Sequence, residues 1–283
     1  MLTVKAPAKI NLTLEVLGER PDGFHEIRSI IQTIDLYDSL RFRSSKKLRF
    51  SCDNPDFVIE ESLVSRAAAL LQEASGFSKG ATIEIKKLIP LVSGLGGDSS
   101  DAAAVLSGLN KLWQLRLSPF ELLELASRLG SDVPFFLYGG TVLVEGRGEK
   151  LRALPPLPRR WVVLIVPPLP RVPEKTRQLY ASLKSSHYTD GQITENFVKA
   201  LKESGEFKPS MLFNTFENVA FELFPRLKVY KEHFVKMGAY QVHIAGSGPA
   251  LFTILDDEMQ AENLYLRCEL QGLESYLVET TDK

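Results

Sequence analysis

Residues Ile83 to Trp113 read IEIKKLIPLVSGLGGDSSDAAAVLSGLNKLW, and this stretch decides the fold. Ile83, Ile85 and Ile89 supply the β-branched residues of a strand, which Pro90 ends. Gly94, Gly96 and Gly97 make a loop without side chains that would keep an anion from the backbone. Ser99, Ser100 and Asp101 follow, each with an oxygen able to cap a helix. Ala102, Val105, Leu106, Leu109, Leu112 and Trp113 then recur at spacings of three and four, giving one buried helical face. A helix start gathers unpaired N–H groups and about half a positive charge. Strand, glycine loop and helix in that order therefore predict a phosphate site. No Gly-Lys-Ser/Thr closes the loop as in a Walker A motif, and no third glycine completes a dinucleotide fingerprint.

Toward the N-terminus, Ile10, Leu12, Leu14 and Val16 alternate with Lys9, Asn11, Thr13 and Glu15. A period of two predicts a strand with one polar face, on which Lys9 and Asn11 point the same way. By residue type alone Lys9 reads as a solvated surface cation, although its place beside Asn11 and just after Pro7 marks it out. Gly18 to Gly23 is a turn segment set by Pro21 and Gly23. Phe24 and His25 come next. Their rings either pack in the fold, the reading that spacing favours, or stack on and hydrogen-bond a base. Leu40 and Phe42 are read as the start of a further strand. A helix is expected over 61–76, with Gly76 as its stop.

Beyond Trp113, Ser118-Pro119-Phe120-Glu121 is a capping box with proline at the first helical position. In Gly130-Ser131-Asp132-Val133-Pro134, Asp132 is positioned to cap a short turn. Thr141 to Glu145 reads as a strand and Gly146 to Gly148 as a hairpin turn. Leu154 to Arg160, with three prolines, reads as a domain connection. A buried strand over Trp161 to Val166 opens the second half. Helical segments are expected near 177–184, 193–202, 217–223, 227–237 and 260–270. Gln241 to Leu255 reads as a hairpin around Gly246-Ser247-Gly248-Pro249. Those glycines make either a plain tight turn or a second backbone surface over the phosphate site.

The 283 residues can bury a substantial core, and 44% hydrophobic and 24% charged residues are ordinary for a globular protein. A formal net charge of −1 gives no global pull toward nucleic acid or an anionic membrane. The N-terminus alternates and lacks the apolar block of a signal peptide, and no run is long enough to span a bilayer. Cys52 and Cys268 are far apart and form no metal spacing, so they are expected as reduced thiols of a cytoplasmic protein. The four histidines are scattered and make no ligand cluster.

Three stretches together, Pro7–Leu14, Pro90–Ala104 and His243–Phe252, resemble the GHMP kinase superfamily. Ala6–Leu12, Arg20–His25, Gly94–Ala102 and Gly130–Pro134, in that order, narrow the resemblance to its branch acting on a cytidine diphosphate-linked methylerythritol in non-mevalonate isoprenoid synthesis. The resemblance implies an α+β, two-lobed GHMP kinase-like architecture. It has a ribosomal-protein-like N-terminal lobe (1–158), a ferredoxin-like C-terminal lobe (159–283) and an active site in the cleft. It implies Lys9 and Asp132 as the catalytic pair, with Asp132 the base and Lys9 keeping it ionised. Pro90, Leu91, Val92, Ser93, Gly94, Leu95, Gly96, Gly97, Asp98, Ser99 and Ser100 would bind ATP phosphates, with Mg²⁺ as the metal. Asn11, Phe24 and His25 would contact the cytidyl substrate. The expected partners are small molecules, with neither nucleic acid nor membrane, and the chain is expected as a cytoplasmic monomer or homodimer.

Some positions depart from the family pattern. Val92 and Asp98 stand where glycine is usual, Phe24 where tyrosine is common, and Thr215 where aspartate is usual. A carboxylate beside polyphosphate repels it unless a cation intervenes, so Asp98 is expected to contact Mg²⁺. Two other readings are a kinase for a mevalonate- or homoserine-type alcohol and a nucleotide-binding regulator without catalysis. Phe24-His25 argues against the first, because those acceptors have no base to stack. Retention of Lys9 and Asp132 argues against the second.

Overall fold

The computed structural model describes residues 1–282. Two strands begin the chain, β1 (Leu2–Glu19) and β2 (His25–Ser45), each long enough to serve both of the compact units into which the fold divides. Leu40 and Phe42 do not open a new strand, because no glycine or proline breaks β2 between His25 and Ser45.

The first unit comprises 1–8, 36–91 and 96–139. Its strands are the start of β1, the later part of β2, β3 (Arg49–Cys52) and β4 (Gly80–Lys86). β4 runs antiparallel to β2, with Leu40 opposite Ile85, and parallel to β3. Four helices belong to this unit: α1 (Leu63–Ser75), α2 (Gly97–Leu112), α3 (Pro119–Leu129) and α4 (Val133–Tyr138). Leu40, Phe42, Ile83 and Ile85 from the strands meet Val64, Leu71, Val105 and Leu109 in one core. α2 comes down on the sheet through Gly108, where a Cβ would lie 2.6 Å from the Phe42 ring. The expected capping box starts α3: Ser118 accepts from the Glu121 amide, and Glu121 reaches back to Ser118.

The second unit comprises 9–35, 92–95 and the chain from Gly140 onward. β5 (Thr141–Gly146) and β6 (Lys150–Ala153) form the expected hairpin, and β5 pairs antiparallel with Ile27–Gln32 of β2. Then come β7 (Trp161–Ile165), α5 (Lys175–Ser182), α6 (Gln192–Glu203), β8 (Phe213–Asn214), α7 (Glu217–Leu223) and α8 (Pro225–Lys236). β9 (His243–Ile244), β10 (Leu251–Leu255), α9 (Glu258–Leu270) and β11 (Ser275–Glu279) complete it. The strand order β11-β7-β10-β9 is that of a ferredoxin-like sheet, as the resemblance implied. Val163, Ile165, Leu251, Phe234 and Leu264 are buried in its core. β8 pairs in parallel with Thr13 and Leu14 of β1, and the buried Thr215 hydroxyl accepts from the Val16 amide at 3.0 Å. Thr215 thus extends the strand pairing that positions β1.

Candidate active site

β1 carries the first group of polar residues, and its polar face is buried rather than solvated. Lys9 is 4% exposed, and Asn11, Thr13 and Glu15 are buried with it. The surface-cation reading of Lys9 fails because sequence alternation reports which residues share a face, not what covers that face. The Lys9 ammonium donates to Asn11 Oδ1 at 2.8 Å, and Asn11 Nδ2 donates to Ser29 Oγ at 2.9 Å. Ser29 Oγ in turn donates to the Thr13 carbonyl. A buried charge needs such partners, and this chain of bonds fixes both side chains.

The second unit also holds two glycine-bearing turns, and it packs them on each other. In the segment Val92–Leu95, the Leu95 carbonyl accepts from the Lys9 amide at 2.9 Å, and the Ser93 carbonyl from the Ala250 amide at 3.0 Å. A Cβ on Gly94 would fall 2.1 Å from Ala245 O and 2.9 Å from Gly248 N. A Cβ on Gly246 would fall 2.9 Å from Lys9 Nζ and 3.1 Å from Gly94 O. The turn at 246–249 is therefore packed on the Val92–Leu95 segment and is not merely a hairpin end. Val92 is 57% exposed and has φ 55°, a left-handed conformation that disfavours β-branched residues by roughly 1–2 kcal/mol. The backbone restriction expected there takes the form of strain at the mouth of the loop.

The loop continues into the first unit. Pro90 and Leu91 are partly buried there, and α2 begins at Gly97 with Gly96 at its N-cap. The expected caps are thus misplaced by about a turn. Gly96, at φ 77°, redirects the chain before Ser99 is reached, so both serines lie inside the first turn. No side chain caps α2, and its first intrahelical bond runs from Ser100 N to Gly96 O at 2.9 Å. The amides ahead of it point outward from the helix end, the geometry that receives an anion. Ser100 is 1% exposed, and its Oγ has no protein partner. A buried hydroxyl without a bond is a costly arrangement that a ligand oxygen or cation would satisfy.

Asp98 makes a bond the sequence did not indicate, and Asp101 does different work from that expected. Both carboxylate oxygens of Asp98 accept from the Leu63 amide, at 3.1 and 3.2 Å, which caps α1. Burial raises its pKa. Asp101 does not cap α2; it is fully buried and takes the Lys87 ammonium at 2.7 Å. Lys87 also donates to Asp38, whose other oxygen accepts from the Leu88 and Ile89 amides at 2.6 and 2.9 Å. Burial alone would lower the Lys87 pKa, but Asp101 and Asp38 beside it raise it. Burial likewise holds the Asp101 pKa up, against the pull of Lys87. This triad anchors the segment entering the loop at both ends, and the sequence reading missed it.

Asp132 stands at the N-cap position of α4, which packs against α2 in the first unit. Its carboxylate makes no capping bond to the amides of α4, so the plain helix-cap reading does not account for it.

The aromatic pair divides. Phe24 is 55% exposed, with the Arg147 guanidinium 4.8 Å over its ring, so the packing reading fails for it. His25 stacks on Tyr180 at 4.7 Å and meets Tyr188 edge-on at 6.1 Å, so packing describes it well. Tyr180 stands on α5, in a stretch with no legible motif. Two further residues the sequence did not single out are Asn214 and Lys175. Asn214 Nδ2 donates to Ile244 O and Gly246 O. Lys175 donates to Gly248 O. Among the described residues no cluster of His, Cys, Asp and Glu could hold a metal ion, and no helix is long and apolar enough to cross a membrane.

Comparison with known proteins defines the class. The GHMP kinases N terminal domain matches residues 62–140, and the GHMP kinases C terminal domain matches 195–272. A 4-diphosphocytidyl-2-C-methyl-D-erythritol kinase of Dehalococcoides mccartyi is 49% identical over 280 residues, covering 99% of this chain and 98% of that one. A protein of the same name from Pelotomaculum thermopropionicum is 40% identical over 94% of this chain and 93% of its own. A crystal structure of 4-(cytidine 5'-diphospho)-2C-methyl-D-erythritol kinase superposes with a TM-score of 0.85 at 34% identity, covering both chains completely. The chain belongs to the GHMP kinase family, in the branch of the 4-diphosphocytidyl-2-C-methyl-D-erythritol kinases.

Proposed function

We propose that this chain transfers the γ-phosphoryl group of ATP to the 2-hydroxyl of 4-diphosphocytidyl-2-C-methyl-D-erythritol, giving the 2-phosphate and ADP. The observation that carries this reading is the 49% identity to a relative of that name across 99% of the chain. The exposed Phe24 ring beside His25 adds to it, since a cytosine offers a face to stack and an edge to bond.

In this reading Asp132 accepts the proton of the acceptor hydroxyl as the phosphoryl group arrives, a role that contributes typically 10²–10⁴-fold. Lys9, held by Asn11, neutralises charge on the attacking oxygen. Phosphoryl transfer proceeds through a loose transition state, so alignment and charge neutralisation carry most of the catalysis. Backbone amides of the Val92–Leu95 segment, of Gly246 and Ser247, and of the first turn of α2 supply part of that neutralisation. Mg²⁺, when bound, would supply further neutralisation of the phosphate charge. The partnerless Ser100 Oγ fits such an ion, whereas Asp98 already serves the Leu63 amide. ATP and the acceptor are charged small molecules, and the setting proposed is the cytoplasm. Phosphorus NMR of the reaction products tests the proposal: a new phosphomonoester on the tertiary 2-oxygen supports it, and phosphate elsewhere or none contradicts it.

A further inference from the structure

Lys175, the first residue of α5, has no part in the mechanism above. Its ammonium donates to the Gly248 carbonyl and reaches the Val92 carbonyl at 3.4 Å. One side chain thereby joins both glycine-bearing turns of the second unit. Thr176 adds a parallel tie, from its hydroxyl to Ser247 Oγ at 2.9 Å. The carbonyls solvate the ammonium without neutralising it. No carboxylate among the described residues lies within ion-pair distance of it, and burial lowers its pKa to about 8. The charged groups around it are otherwise engaged. Glu174 on the same turn pairs with Arg177, Lys9 lies behind Gly246, and Glu217 on the neighbouring α7 is held by His243, Lys231 and the Ile244 amide. A half-buried cation without a counter-charge, held where two glycine-bearing turns pack on each other, is completed by an anion.

We propose that Lys175 is a phosphate-binding residue. Its ammonium, shared between the Val92–Leu95 and Gly246–Pro249 turns, meets polyphosphate oxygens of the nucleotide. The inference rests on the kinase reading for the identity of the anion. It assigns a contact that the glycine loop alone does not supply. A lysine suits the place better than an arginine fork, because its three donors radiate from one atom toward two carbonyls and a ligand.

Calorimetric titration of ADP and ATP into the intact protein, without acceptor, tests it. K175Q is expected to bind both nucleotides about tenfold more weakly at pH 7.5, equivalent to about 1.4 kcal/mol. K175R, always charged but forked, is expected to recover part of that loss. The wild type should also weaken severalfold between pH 7.5 and 9, as Lys175 loses its proton, and K175R should not. Wild-type affinity in K175Q would overturn the proposal, as would equal losses in K175Q and K175R, which would mark a purely structural tie. Absence of nucleotide binding by the wild type would overturn it as well. Nucleotide binding with the expected variant pattern, but no phosphoryl transfer to the cytidyl acceptor, would contradict the functional reading and leave this assignment standing.

Discussion

Asn214 Nδ2 lies 2.8 Å from the carbonyl oxygen of Gly246 and 2.9 Å from that of Ile244, while its Oδ1 accepts from the Phe216 amide at 3.0 Å. One buried amide therefore shapes the turn that sits on Lys9, and it does so from β8, the strand paired with β1. Replacing the donor by an acceptor, Asn214→Asp, would set a carboxylate against two carbonyls. Leaving such groups unsatisfied costs about 1–3 kcal/mol, more when charged. The expected result is a fall in melting temperature of several degrees, together with a raised KM for ATP, measured by thermal unfolding and steady-state kinetics.

The triad Asp38–Lys87–Asp101 gives an asymmetric prediction. Lys87→Met strands two carboxylates in the core, and breaking a buried ion pair in this way costs about 3–5 kcal/mol. Asp101→Asn leaves the Asp38–Lys87 pair intact and removes an excess buried charge, so its effect is expected to be small. Denaturant unfolding of the two variants should rank them clearly in that order. Equal losses would mean that Asp101, not Lys87, organises the entry to the loop.

Lys175 makes the stability depend on pH in a determined direction. Its folded-state pKa, about 8, lies below the value of 10.5 for an unperturbed lysine. Between the two the unfolded chain binds more protons, so this group's contribution to stability improves as pH rises through about 8. The melting temperature of the wild type, taken relative to K175Q, should therefore rise from pH 7 to 9.5 in the absence of nucleotide. The sign is the test, since a lysine engaged by a carboxylate would give the opposite trend.

For Asp132, the proposed base, the substitution Asp132→Asn removes the proton acceptor while keeping the shape. Turnover is expected to fall by about 10²–10⁴-fold. ADP affinity, read by calorimetry, should stay within a small factor of wild type. Near-normal turnover would mean that another group takes the proton.

Much of this was legible in the chain. The glycine loop between strand and helix, the capping box at Ser118, and the alternation that placed Lys9 and Asn11 on one face all follow from local rules. What sequence periodicity could not give was burial on the far side of β1. A polar face looks the same in one dimension whether water or protein covers it, so Lys9 read as a surface cation. Helix α2 began earlier than its serines indicated because a left-handed glycine at position 96 overrode side-chain capping. Asn214, Lys175 and Tyr180 were invisible for another reason. Each acts through a residue distant in the chain, and no local spacing encodes a bond from position 214 to 246, or a stack of position 180 on 25.

The measurement that tests the central claim most directly is the initial rate of ADP release by the purified protein with three acceptors, each with and without Mg²⁺. The acceptors are 4-diphosphocytidyl-2-C-methyl-D-erythritol, mevalonate and homoserine. Mg²⁺-dependent turnover with the cytidyl compound alone is the predicted result. Turnover with mevalonate or homoserine in its place would contradict the cytidyl reading of Phe24 and His25. Nucleotide binding with no turnover on any of the three would contradict the assignment of catalysis.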